Sequence, residues 1–155
     1  MAKAKQNQSN IFSKNKKAYF DYEILEKIET GIVLTGEEVK SIRNNQANLK
    51  GAFIDIENNE PFLNEAHISR YKFSSNKNYN PKRKRKLLLR KNQIPKINQA
   101  INEKGKTVIP LELYKKNGLI KMLIGIGRGK KLHDKRETLK RRAQEKEIKQ
   151  KLKNF

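Results

Sequence analysis

The sequence contains no cysteine and only two histidines. Without cysteine there are no disulfides, thiolate metal sites or cysteine nucleophiles, which fits a reducing compartment. His67 and His133 stand too far apart for paired metal-ligand spacing. No apolar run reaches transmembrane length, and the basic segments lack the moment of a membrane-surface helix. Met1–Lys17 has no apolar core, so no secretory signal is expected. Acid is scarce: 16 Asp and Glu stand against 37 Lys and Arg. The few carboxylates match no catalytic template. Gly125–Lys130 has glycines but neither P-loop spacing nor the dinucleotide fingerprint. No catalytic residue, metal or cofactor is expected, and the chain reads as a non-enzyme.

The net charge is +21 over 155 residues. A field of that sign and size suits a phosphate backbone, through charge neutralisation and counterion release. The apolar residues concentrate between Tyr19 and Ile126, enough for one small core. Three parts follow: a basic N-terminal arm (1–17), a folded RNA-binding unit (18–128) and a basic C-terminal tail (129–155). The arm holds five lysines and no acid, a composition that favours solvation over folding.

Within the middle part, apolar and polar residues alternate. Phe20, Tyr22, Ile24 and Ile28 predict a strand starting near Tyr19, which Thr30-Gly31 breaks before a short Ile32–Leu34 strand. Thr35 followed by Glu38 is a capping box, opening a helix to about Asn44 with Val39 and Ile42 inward. Ala52, Ile54 and Ile56 mark a strand, Asn58-Asn59 a turn, and Pro61–Ile68 the return strand. A polar loop covers Ser69–Asn80. Asn92 is read as the cap of a helix carrying Ile94, Ile97 and Ile101, with Pro95 in its first turn and Gly105 ending it. Val108–Tyr114 contains Pro110, so it is expected at an edge or a bulge. Asn117-Gly118 is a type I′ hairpin signal leading into Leu119–Ile126, and the glycines after it read as a flexible exit. The fold class is mainly β: an OB-like antiparallel barrel of about six or seven strands, with two or three inserted helices.

Two charged segments stand out. Lys82–Lys91 holds seven basic residues and no acid, abuts three leucines, and reads as a phosphate-contacting stripe: Lys82, Arg83, Arg85, Lys86 and Arg90. Tyr19, Phe20 and Tyr22 beside Lys16 and Lys17 are candidates for stacking on unpaired bases. The tail has eleven Lys or Arg against four acids. Leu132, Leu139 and Ala143 fall on one helical face, and Ile148 and Leu152 on nearly the opposite one. Without a single apolar seam, the tail is expected to be disordered when free and helical only on a negative partner. Asp134 and Glu137 predict a helix start near Lys135.

Several motifs together resemble one family: Asn15–Ala18, Asp21-Tyr22, Gly31–Arg43, Arg83–Leu89, Pro110–Tyr114 and Gly129–Thr138. They are similar to small protein B, the SsrA-binding protein family of bacteria, in order from about Asn15 to Arg142. The resemblance implies an adaptor for trans-translation. Such a protein binds the tRNA-like domain of transfer-messenger RNA, carries it to stalled ribosomes, stands in for the missing anticodon arm, and senses the empty messenger channel with its tail. By position, the resemblance implies RNA contacts at Glu29, Leu88 and Lys121, and Lys40 and Arg43 join them within the shared Gly31–Arg43 motif. It implies a tail hinge at Gly129 and ribosome contacts from Lys130, Lys131, His133, Asp134, Lys135 and Arg136. Phe20 stands where the family usually has His, and Arg90 where Asn or His is common. The implied partners are transfer-messenger RNA, ribosomal RNA of the decoding centre and messenger channel, and elongation factor Tu together with the RNA. No membrane partner is implied. The free chain is expected to be monomeric and cytoplasmic. The competing reading is a general OB-type single-strand RNA binder or ribosome-associated protein.

Overall fold

In the computed structural model, residues 10–153 are described, and residues 1–9 of the basic arm lie outside them. The chain begins with strand β1 (Ile11–Lys14), a short helix α1 (Lys16–Asp21) and the long strand β2 (Tyr22–Ile32). Helix α2 (Gly36–Arg43) and strands β3 (Ala47–Asn48), β4 (Phe53–Glu57), β5 (Glu60–Asn64) and β6 (His67–Ile68) follow. Then come β7 (Arg85–Leu88), α3 (Ile94–Asn102), β8 (Lys106–Lys116), β9 (Leu119–Gly129) and α4 (Leu132–Lys153).

Seven strands form one antiparallel sheet in the order β1-β8-β9-β2-β7-β5-β4, and β3 pairs with β6. The sheet curls until β4 lies beside β8. Buried Asn15 ties this closure. Its Nδ2 donates to the carbonyls of Leu49 (3.2 Å) and Pro110 (2.9 Å), and its Oδ1 accepts from Ala18 N–H as the cap of α1. Inside lie Ile28, Ile42, Leu63, Leu87, Met122 and Ile124. The mainly β, antiparallel expectation therefore stands, with nine strands and four helices among the described residues.

Several local expectations change. The arm does not extend to residue 17, because Ile11–Lys14 pairs with β8 and Ile11 sits opposite Tyr114. Tyr19 and Phe20 lie on α1 rather than on a strand, since the Asn15 cap and the buried Ala18 favour a helical turn. Gly31 does not break β2; it is paired on both sides. The Pro61–Ile68 segment splits where Glu65 turns to positive φ (63°), and its two halves join different sheets. Asn92 does not cap α3. Gln93 takes that place, with Pro95 at the helix start, and its side chain accepts from Arg90 N–H. Of the edge or bulge expected at Pro110, the structure has the bulge, between Pro110 and Glu112, and strand β8 is interior to the sheet. Gly125 and Gly127 are not a flexible exit. Both are buried in β9, and a Cβ on Gly125 would stand 2.8 Å from Leu111 Cδ1. The turns at Asn58-Asn59 and Asn117-Gly118 have the positive φ values that type I′ requires.

The tail is one helix from Leu132 to Lys153, with no buried residue and so no core to hold it. It starts one turn earlier than the Asp134 signal suggests, so Asp134 sits in the first turn, where a carboxylate suits the helix dipole. No Gly or Pro interrupts it.

Candidate nucleic-acid interface

The Lys82–Lys86 run is paired with acid residue by residue. Lys82 meets Glu65 (3.5 Å), Lys84 meets Glu57, and Lys86 meets Glu60 (3.1 Å). The arginines alternate inward onto one carboxylate: Arg83 Nη2 donates to Glu38 Oε1 (2.6 Å) and Arg85 Nε to Glu38 Oε2 (2.5 Å). Arg85 and Glu38 are both 0% exposed. Arg85 also donates to the carbonyls of Ala66 (2.7 Å) and Pro81 (3.0 Å). Glu38 in turn accepts from Thr35 N–H, completing the α2 capping box. Burial alone would push the Glu38 carboxyl up, but the bonds from Arg83, Thr35 and Arg85 outweigh it and hold it below the usual range. Arg85 is thus a structural cation that cannot reach RNA. Of the expected phosphate stripe, Arg85 alone is enclosed by the fold; Lys82, Arg83 and Lys86 stay 57%, 40% and 42% exposed beside their carboxylates.

Beyond the paired run, one rung of the sheet gathers four elements. Leu88 on β7 faces Gly31 on β2, Gly31 faces Lys121 on β9, and Lys121 faces Tyr114 on β8. Gly31 allows a close approach here: a Cβ would stand 3.2 Å from both Cβ and Cδ1 of Leu88, which would have to shift by a few tenths of an ångström. Leu88 rests flat over the glycine and remains 57% exposed. Two residues earlier on the same face of β2, Glu29 accepts from the Tyr114 hydroxyl and from Lys116 Nζ (3.1 and 3.2 Å). The Tyr114 bond holds the Glu29 carboxyl below the usual range against the opposing effect of burial, with help from Lys116 and Lys121. Burial and the nearby Glu29 push the Tyr114 hydroxyl up.

Glu29, Leu88, Arg90 and Lys121 line one open groove of about 420 Å³. Leu88 and Lys121 also line an adjoining groove with Arg43, Val39 and Leu119. The fold therefore unites four expected residues drawn from three strands and one loop, and Arg43 borders them. Tyr114, Lys116 and Gly31 are additions. The first two were legible in principle, because the two-residue Asn117-Gly118 turn sets Tyr114 opposite Lys121.

The aromatic candidates lie elsewhere. Tyr19 donates to Glu112 (3.2 Å), with Lys14 and Lys27 each 5.3 Å from its ring centroid. Burial, then Glu112, pushes its hydroxyl up. Tyr22 packs its Cβ against the Gly127 position (3.1 Å). Phe20 lies under the Arg142 guanidinium at 5.5 Å. None of the three borders the Leu88 groove. They line the junction with the tail. There Lys130 N–H donates to Asp21 O (2.9 Å), Lys130 Nζ reaches Tyr19 O (3.4 Å), and Lys135 pairs with Asp21 (3.2 Å). Asp21 also holds Lys17 (3.2 Å). Burial would raise its carboxyl, but Lys17 and Lys135 outweigh that and lower it. Gly129 pairs with Tyr22, while Lys131, His133, Asp134 and Arg136 are exposed. Strand β2 runs from this junction at Tyr22 to the Leu88 rung at Gly31, about 30 Å at ~3.3 Å per residue, and the groove reaches back along it to Lys27, whose Nζ stands over Tyr19. Among the described residues, no acidic or histidine cluster could hold a metal ion, and no helix is long and apolar enough to cross a membrane.

Residues 12–154 match the family model described as "SmpB protein". The chain is 48% identical to the SsrA-binding protein of Ligilactobacillus salivarius, covering 100% of this chain and 99% of that one. It is 49% identical to the SsrA-binding protein of Geotalea uraniireducens over 89% of this chain and 91% of the relative. A solved structure described as "tmRNA-SmpB: a journey to the center of the bacterial ribosome" is 42% identical, covers 77% of this chain and 84% of that one, and superposes with a TM-score of 0.66.

Proposed function

The chain belongs to the SmpB protein family, and on that premise we propose how its two separate surfaces divide the work of one adaptor. The protein is an RNA-binding adaptor of trans-translation, whose partners are transfer-messenger RNA and the ribosome. The groove holds the tRNA-like domain of transfer-messenger RNA. The tail helix contacts ribosomal RNA and lies in the empty messenger channel where an anticodon arm is missing. The observation that carries this reading is the Leu88–Gly31–Lys121 rung with Glu29 beside it.

Each group suits RNA chemistry. Leu88 offers an apolar surface to a base or ribose face. Arg90 and Lys121 neutralise phosphates. Glu29, kept ionised by its neighbours, accepts from an exocyclic amino group, an acceptor role carboxylates play toward bases. Lys40 and Arg43, exposed on α2, extend the positive border. At the other end of β2, Gly129, Lys130 and Lys131 lead from the barrel to His133, Asp134, Lys135 and Arg136, which face ribosomal RNA. The chain acts by binding rather than by a catalytic step. It works in the cytoplasm, is monomeric when free, and reaches the ribosome with the RNA and elongation factor Tu.

A competition assay tests this reading. At ~150 mM salt, where non-specific electrostatic binding is already weakened, the tRNA-like domain of transfer-messenger RNA outcompetes unrelated structured RNA. Equal competition by the two would instead make the protein a general RNA binder.

A further inference from the structure

Residues 69–84 cross from β6 to β7 without joining either sheet. This loop places Phe73 at 73% exposure, more open than Leu88 at 57%. The loop is nevertheless fastened. Ser74 Oγ donates to Glu37 Oε1 (2.6 Å), Ser74 N–H to Tyr71 O (2.9 Å), and Arg70 Nη2 to Ser74 O (2.8 Å). Tyr71 meets Phe73 edge-on, with ring centroids 5.5 Å apart at 70°. Two ammonium groups attend the rings: Lys72 Nζ stands 4.8 Å from the Phe73 centroid and Lys40 Nζ 5.2 Å from that of Tyr71.

An exposed aromatic flanked by cations, on a loop fastened by its neighbours, is an arrangement that stacks unpaired bases. Its place in the fold indicates whose base. Lys40 and Arg43 lie three residues apart on α2 and so are neighbours on its surface. Arg43 lines the groove that contains Leu88 and Lys121. The platform is therefore continuous, through α2, with the groove.

We propose that Phe73 is a stacking platform for an unpaired base of transfer-messenger RNA, with Lys72 and Lys40 neutralising the phosphates that flank it. This rests on the reading of the Leu88 groove as the site for that RNA and carries it past α2 onto the loop.

The chain has no tryptophan, so Phe73→Trp in the full chain places a single indole at the platform. Saturating it with the tRNA-like domain of transfer-messenger RNA is expected to quench its fluorescence. In parallel, Phe73→Ala is expected to weaken binding of that RNA about tenfold, within the range seen for loss of one stacked base. Phe73→Tyr keeps the affinity and Phe73→Leu does not restore it. An unquenched indole at saturation overturns the proposal, as does Phe73→Ala binding within about twofold of wild type. So does Phe73→Leu matching wild type, which would indicate an apolar contact rather than a stack. Loss confined to ribosome binding, measured separately with purified subunits, also overturns it. Selective binding by the wild type with an unaffected Phe73→Ala sinks this inference alone; absence of selective binding by the wild type sinks both it and the reading of the groove.

Discussion

Leu88 and Lys121 stand on one rung of the sheet with only Gly31 between them. The glycine lets Leu88 fold over β2 while Leu88 stays 57% exposed, with Lys121 lining the same groove on the other side. The apolar and cationic halves of the groove are held side by side by backbone pairing alone.

Gly31→Val tests that arrangement. Its branched side chain would begin 3.2 Å from Leu88 Cβ, and overpacking of this kind costs about 1–3 kcal/mol. The variant is expected to stay folded by circular dichroism, to melt lower, and to bind transfer-messenger RNA about tenfold more weakly. Unchanged RNA affinity would show that the seat of Leu88 is irrelevant to binding.

The Glu38 cluster predicts an acid limit. A carboxyl lowered in the folded state adds stability above its unfolded pKa, and that stability disappears as pH falls through the folded value. Glu38, Glu29 and Asp21 are all lowered. Urea midpoints should therefore hold from neutral pH to about 5 and then decline below about 4. Glu38→Ala strands buried Arg85 and should cost about 3–5 kcal/mol at pH 7. It should also flatten the acid decline. A variant as stable as wild type would remove Glu38 from the centre of the fold.

Salt dependence separates RNA-facing cations from structural ones. Arg90→Ala and Lys121→Ala are each expected to reduce the slope of log K against log salt by about 0.7–0.9, one phosphate's worth. Filter binding between 50 and 300 mM salt, on the order of the range usually used, measures it. An unchanged slope for both variants would move the phosphate path away from this groove.

Asp21 fastens the tail. Asp21→Asn removes the ion pairs to Lys135 and Lys17. Exposed pairs contribute about 0–1 kcal/mol, so the melting temperature should barely change. Hydrogen exchange in the first turns of α4 should quicken instead. Equal exchange in both proteins would mean that the pair does not hold the helix.

Deleting residues 134–155 should leave binding to transfer-messenger RNA within about threefold of wild type and abolish peptide tagging in a reconstituted translation system, since no residue of that segment lines the groove. Loss of RNA binding on this deletion would overturn the division between the two surfaces.

Local chemistry was readable where neighbours in sequence are also neighbours in space. The Thr35–Glu38 capping box, the Asn58-Asn59 and Asn117-Gly118 turns and the alternation of β4 all appear as expected. Alternation misled at Tyr19 and Phe20, because a cap from Asn15 outweighed a period-two pattern over only a few residues. The surroundings of the basic run were not readable: in sequence Lys82–Lys86 contains no acid, but in the fold each member meets one, because β4, β5, the turn after β5 and α2 bring Glu57, Glu60, Glu65 and Glu38 alongside.

The amino-acid sequence by itself determined the class of partner, since a +21 charge, absent cysteine and missing catalytic constellations follow from composition. It also determined the family, through motifs in order, and the helical capacity of the uninterrupted tail. Only the tertiary structure decided which cations are enclosed or paired with acid and which line the groove. Pairing across β7, β2, β9 and β8 brings Leu88, Gly31, Lys121 and Tyr114 to one rung from positions far apart in the chain. A cation's availability depends on whether a carboxylate reaches it first, and that distance is set by strand register and sheet curvature rather than by proximity along the sequence.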